Sequence, residues 1–143
     1  MKRIKLSDRI AFHLSNLLAA AVLVCIQFLA GCQESFDHRL QREAKEFTER
    51  HCPMEPEPGT RLDSTTYSPQ TQTYTSWFTL SNANEQALFG REVMLRQRLK
   101  EQLRTNVDYK ALKDKGIHFR YVYRSSASGR TLYETTLAAK EYQ

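Results

Sequence analysis

Hydrophobic and polar positions follow three different periods along this chain, and each period marks a different kind of segment. Leu17 to Ala30 is a run of 14 residues broken only by Gln27. A helix needs about 20 apolar residues to cross a hydrocarbon core, so the run is too short to span. Lys2, Arg3, Lys5 and Arg9 precede it, and a basic flank before an apolar run of this length predicts an export signal. From Glu34 to His51 the period changes. Phe36, Leu40, Ala44 and Phe47 recur at spacings of four, four and three, which predicts an amphipathic helix with one apolar stripe. Pro53 to Gly59 holds three prolines and reads as a stiff turn. Thr60–Ser68 and Thr73–Leu80 are rich in Thr, Tyr, Trp and Phe, and predict two strands of a hairpin turned at Ser68–Gln72.

A second helix is expected from Asn84 to Arg104, with Leu88, Leu95, Leu99 and Leu103 inside an arc of about 80°. Glu92 falls within that arc. A bend near Gly90 that turns Glu92 outward relieves the conflict; a buried functional carboxylate is the alternative, at the cost of an unpaired charge. A short helix follows over Val107–Lys115, then a clean alternation from Ile117 to Arg124 and a last strand, Thr131–Leu137. Helix, hairpin, helices, hairpin predicts an α+β domain. The simplest form is a four-stranded antiparallel sheet with helices on one face.

Charge refines this picture. The net charge is +5, and residues 1–31 carry +3 of it, from four basic and one acidic side chains. The remaining +2 is too little for a nucleic-acid face. Arg91, Arg96, Arg98, Lys100 and Arg104 spread around the second helix and read as a solvated face, with anionic lipid headgroups as the alternative contact. The chain has three cysteines.

The apolar run ends in Leu29-Ala30-Gly31-Cys32. This resembles the lipobox of bacterial lipoproteins. The resemblance implies cleavage between Gly31 and Cys32, removal of residues 1–31, a thioether-linked diacylglycerol on Cys32 and an N-acyl chain such as palmitate. Two or more acyl chains anchor stably. The expected organisation is a removed signal, 1–31, and one small domain with a short tether, 32–143. Gln33 after the acylated cysteine implies, by the same resemblance, the outer membrane, with the periplasmic face favoured over the cell surface. Cys25 leaves with the signal and Cys32 is acylated, so Cys52 is left without an intramolecular disulfide partner.

The mature part resembles small lipoproteins of gut-type, Bacteroidetes-like Gram-negative bacteria. The residues that carry it are Cys52-Pro53, Leu62-Asp63-Ser64 with Tyr67, Tyr74, Phe78-Thr79-Leu80, Gly116-Ile117 with Phe119, Tyr121-Val122-Tyr123, and Gly129. It implies a shared fold and brings no activity. Asp63-Ser64-Thr65 also resembles the O-glycosylation site of exported Bacteroidetes proteins, which would place a glycan on Ser64.

No catalytic set emerges. There is no nucleophile elbow, no Cys-x-x-Cys, no His-x-x-x-His and no glycine-rich phosphate loop. His38 and His51 lie about 140° apart around a helix and share no face, so neither a metal nor a cofactor is expected. Trp77, with Thr75 and Thr79, falls on one side of its strand. In one register that side is open and suited to stacking a sugar ring or a peptide; in the other, Trp77 faces the core. The expected function is therefore a lipid-anchored, non-catalytic binding or accessory module with a protein, peptide or glycan partner. The alternative is an envelope enzyme using Cys52 or a carboxylate such as Glu92.

Overall fold

The computed structural model describes residues 35–143. The signal segment, the lipobox and Cys32 lie outside the described residues. Helix α1 (Phe36–His51) comes first. It buries Leu40 and Ala44 and lays them on strand β2 (Thr60–Ser68). Hydrogen bonds fix that contact. The Thr65 hydroxyl donates to the Ala44 carbonyl at 3.0 Å, the Thr65 N–H donates to Thr48 Oγ1 at 2.8 Å, and the Tyr67 hydroxyl donates to Asp37 Oδ1 at 2.7 Å. The opposite face of α1 carries the pairs Arg39–Glu43, Arg42–Glu46 and Lys45–Glu49, each worth a few tenths of a kcal/mol (about 0.2–0.5) at this spacing.

The sheet corrects the sequence expectation. It has five strands, not four, in the order β1-β2-β3-β4-β5, and it is mixed rather than antiparallel. The expected proline turn contains strand β1 (Met54–Glu57), which pairs with β2 at the sheet edge. An edge tolerates Pro56, which has no N–H to donate. Strands β2 and β3 (Thr73–Leu80) form the expected hairpin. A bulge at Asp63 shifts its register: Leu62 faces Phe78, and Ser64 faces Trp77. Strand β4 (His118–Ser125) then pairs with β3 in parallel, and β5 (Thr131–Leu137) returns antiparallel.

The parallel pair has a plain cause. Parallel neighbours need a crossover of a dozen residues or more, usually helical. The chain from Ser81 to Ile117 supplies it as α2 (Asn82–Leu88), α3 (Glu92–Thr105) and α4 (Lys110–Asp114). The single expected helix breaks at Gly90, whose φ is +74°. A last turn of helix, α5 (Ala139–Tyr142), follows β5. One core joins Leu40 and Ala44 of α1, Leu99 and Leu103 of α3 and Tyr142 of α5 to the inner sheet face of Tyr74, Leu80, Phe119, Tyr123 and Leu137.

Candidate functional site

The inner face of the sheet is only partly covered. Helix α1 rests on β2, whereas α3 packs against β5 and α5. Three strand spacings separate β2 from β5, about 14 Å. Helices in contact lie about 8–10 Å apart. The excess opens a groove of about 1150 Å³ over the two central strands.

Its floor is Ser76 and Phe78 of β3 with Tyr121 and Tyr123 of β4. Phe78 and Tyr123 stack with centroids 4.9 Å apart. One wall is α3, which presents Leu95 and Leu99 low down and the outer row Met94, Arg98 and Gln102. Residues four apart form a ridge on a helix. The Leu99–Leu103 ridge is spent on the core, while Met94 is 70% exposed. The other wall is Leu62, Phe47, Pro56 and Glu57. An ion pair between Arg98 of α3 and Glu57 of β1 bridges the two sides. Both partners are more than one-third exposed, so opening it costs about 1 kcal/mol or less.

The groove is apolar but not uniformly so. Tyr109, Tyr121 and Tyr123 all line it. Burial pushes each of these phenols above its ordinary range, and Tyr121 also feels the hydroxyls of Tyr109 and Tyr123. Burial likewise raises Tyr74 to about 12.

The residues singled out from sequence lie elsewhere. Trp77 sits on the outer face with Thr75 and Thr79, the side away from the helices. Its ring is not open. The Arg124 guanidinium lies 4.4 Å from the centroid and that of Arg120 lies 5.6 Å away. The indole N–H donates to Thr66 Oγ1 at 3.4 Å. A sugar stacking there would compete with the arginines. Thr75 is buried, and Thr79 donates to Asp63 Oδ2 at 2.6 Å. Ser64 is half-buried opposite Trp77, beside an Asp63 already held by Arg61 at 2.6 Å.

Cys52 is half-buried just after α1, before a cis bond to Pro53. Desolvation, and then the negative charge of Asp63, push its thiol up, the wrong direction for a nucleophile. No hydrogen bond joins it to His51 or His118 among the described residues. The His51 ring lies against Phe47 at 5.0 Å. Glu92 stands in the first turn of α3, where it accepts the Gly90 N–H at 3.2 Å. That contact gives the carboxylate a role at the helix start. Among the described residues no group of three or more His, Cys, Asp or Glu converges as a metal site, and no helix is long and apolar enough to cross a membrane. The groove itself escaped sequence reasoning. Its one signal was the alternation Phe119, Tyr121, Tyr123, which reads equally well as core.

Residues 35–133 match a family described as a domain of unknown function, DUF8479. The chain belongs to the DUF8479 family. No curated protein matches it. Solved structures share the DUF8479 fold at low identity. A Pseudomonas aeruginosa protein, PA3611, provisionally described as secreted, superposes with a TM-score of 0.63 at 11% identity, covering 77% of this chain and 99% of its own. The pilotin EpsS of the Vibrio vulnificus type 2 secretion system gives 0.58 at 14% identity, covering 75% and 94%. The type II secretion pilotin AspS of Vibrio cholerae gives 0.56 at 15%, covering 73% and 90%.

Proposed function

We propose that this DUF8479 protein is a lipid-anchored, non-catalytic accessory lipoprotein of the bacterial envelope, held at the outer membrane through Cys32, which seats an amphipathic helix of a partner protein in its groove. The observation that carries the reading is the partly covered aromatic floor between α1 and α3. A helix of about 10 Å diameter, half-sunk along the about 21 Å of α3, displaces roughly 800 Å³, and the groove offers about 1150 Å³. The exposed ridge Met94–Arg98–Gln102, whose Arg98 would release Glu57 on docking, has the four-residue spacing that packs against another helix. The shared fold with two secretion-system pilotins supports an envelope partner, and the lipobox resemblance supports the anchor.

The test is site-specific photocrosslinking in cells that make the full chain. A photoreactive residue at Gln102, in the groove, is compared with one at Thr66, on the outer face. The reading expects one envelope protein crosslinked at Gln102, lost when Ser76→Trp fills the floor, and kept in Trp77→Ala. Equal crosslinking at Thr66, or a Gln102 product that survives Ser76→Trp, would sink it. The intact mass of the membrane-extracted protein beside Cys32→Ser tests the anchor separately.

A further inference from the structure

The groove floor carries polar atoms that the protein does not use. Tyr123 is buried, with 6% of the residue exposed, and its ring is fixed by the stack on Phe78. The ring of Tyr109 is fixed edge-on against Phe119 at 5.4 Å. The hydroxyls of Tyr109, Tyr121 and Tyr123 make no hydrogen bond to any described residue. Among the described residues every fully buried side-chain nitrogen or oxygen has a partner, so these three oxygens keep some access to solvent, and all three residues line the groove. A buried phenol ordinarily finds a partner, and an occupant that covers these hydroxyls without pairing them loses affinity.

Their spacing describes the occupant. Tyr121 and Tyr123 are alternate residues of one strand, so they stand about 6.6–6.8 Å apart along it. Positions i and i+4 of a helix rise about 6.0 Å. A helix lying along β4 therefore matches the spacing of these two residues with side chains four apart. Its main-chain carbonyls are already used inside the helix, so the pairing falls to side-chain acceptors.

Building on the helix-docking reading, we infer that the groove selects a protein helix whose buried face carries hydrogen-bonding side chains, Gln, Asn, Ser or Glu, at two positions four apart, paired with Tyr121 and Tyr123. A wholly apolar helix, or the acyl chain of a lipid, leaves both hydroxyls dry and unpaired. The phenols then act as the specificity filter of an otherwise greasy slot.

Two fluorescein-labelled helical peptides test this on the full chain in nanodiscs, read by anisotropy. One has an all-leucine face. The other differs only by Gln at two inward positions four apart. Wild type is expected to prefer the Gln peptide, and the Tyr121→Phe/Tyr123→Phe double variant to lose that preference by about tenfold or more, at roughly three- to tenfold per neutral hydrogen bond. Removing two oxygens leaves the aromatic packing in place, and an unchanged melting curve confirms folding. A wild type that favours the leucine peptide, or a preference that the double variant leaves unchanged, overturns the inference while the docking reading stands. Displacement of both peptides by oleate at lower concentration assigns the groove to an acyl chain and overturns it too. Peptide binding that Ser76→Trp does not disturb, or no binding of either peptide at about 1 mM, a free energy near −4 kcal/mol, removes the docking reading and this inference together.

Discussion

Lys113 offers the sharpest test of how the groove wall is held. Helix α3 ends at Thr105, and its last carbonyls lack partners within the helix, as at any helix C-terminus. Lys113, half-buried in α4, spends all three ammonium protons there. It donates to the carbonyls of Leu103 at 3.0 Å, Arg104 at 2.9 Å and Asn106 at 2.8 Å. Charged hydrogen bonds net about 1.5–3 kcal/mol each when buried. Here one of the three, to Arg104, lies at the surface and the other two are only part-buried, so water replaces part of the loss. A cation at a helix end in partly buried geometry is worth up to about 2 kcal/mol. Lys113→Met keeps the aliphatic stem and removes the donors, so the expected cost is about 2 kcal/mol. In a unit of this size each kcal/mol moves the midpoint by roughly 4 °C, which gives a drop near 8 °C by calorimetry. Hydrogen exchange must localise the effect. Amides of Gln102–Asn106 should exchange faster, and those of β2 should not. A midpoint within about 2 °C of wild type, or exchange that accelerates evenly across the unit, would refute the capping argument.

Two further outcomes follow from local geometry. The Glu141 carboxyl is held below its usual range, first by the Ala138 N–H at 3.0 Å and then by Arg96 at 2.5 Å. A carboxyl depressed in the folded state stabilises above its unfolded value near 4.5, and that contribution disappears as pH falls through the lower folded value. The midpoint of wild type should therefore drop more steeply than that of Glu141→Gln below about pH 4.5 in a fluorimetric melt series, and parallel curves would count against the linkage. Gly59→Ala meets Ser81 Oγ at 2.6 Å with φ at +74°, whereas Gly129→Ala has a similar φ of +69° and open space. Both pay the left-handed backbone penalty of about 1–2 kcal/mol. Only Gly59→Ala should pay a further packing cost, seen as a larger loss in denaturant midpoint, and equal losses would show that Ser81 yields freely.

How much was legible depended on how local each cause is. Strand bounds Thr60–Ser68, Thr73–Leu80 and Thr131–Leu137 agree with the structure because composition and turn residues act over a few positions. The break at Gly90 was foreshadowed by the clash of Glu92 with the leucine arc, although two helices replaced one bent one. Strand β1 was hidden because proline argues against a strand except at an edge, and an edge is a property of the assembled sheet. The β3–β4 pairing was hidden for the same reason. Each hairpin closes locally, but the way two hairpins meet is set by the helical crossover between them. Trp77 shows the limit of alternation. A period of two sorts residues into faces and cannot name the inner one; the burial of Tyr74 and Leu80 against the helices decides it.

The groove belongs to that class of non-local facts, and its origin bears on its use. Periodicity marks Phe78, Tyr121 and Tyr123 as apolar-facing, and a core reading follows if the helices suffice to cover them. They cover them only in part: Tyr123 is buried, whereas Phe78 and Tyr121 are half-buried. Adding β1 and pairing β3 with β4 widens the sheet to five strands, while among the described residues only α1 and α3 are long enough to cover it. A two-layer domain buries an aromatic sheet face against a second layer. Here one helix width of that layer is missing, and the rows that would flank the missing helix, Phe47 on one side and Met94 on the other, are exposed by 36% and 70%. Closing the gap internally would require α3 to slide toward β2, breaking the hold of Arg96 on Glu141 and the Thr136 carbonyl together with the Lys113 cap. The wall is thus held on its outer side by Arg96 and at its C-terminal end by Lys113, and the Arg98–Glu57 pair is the contact that crosses the slot.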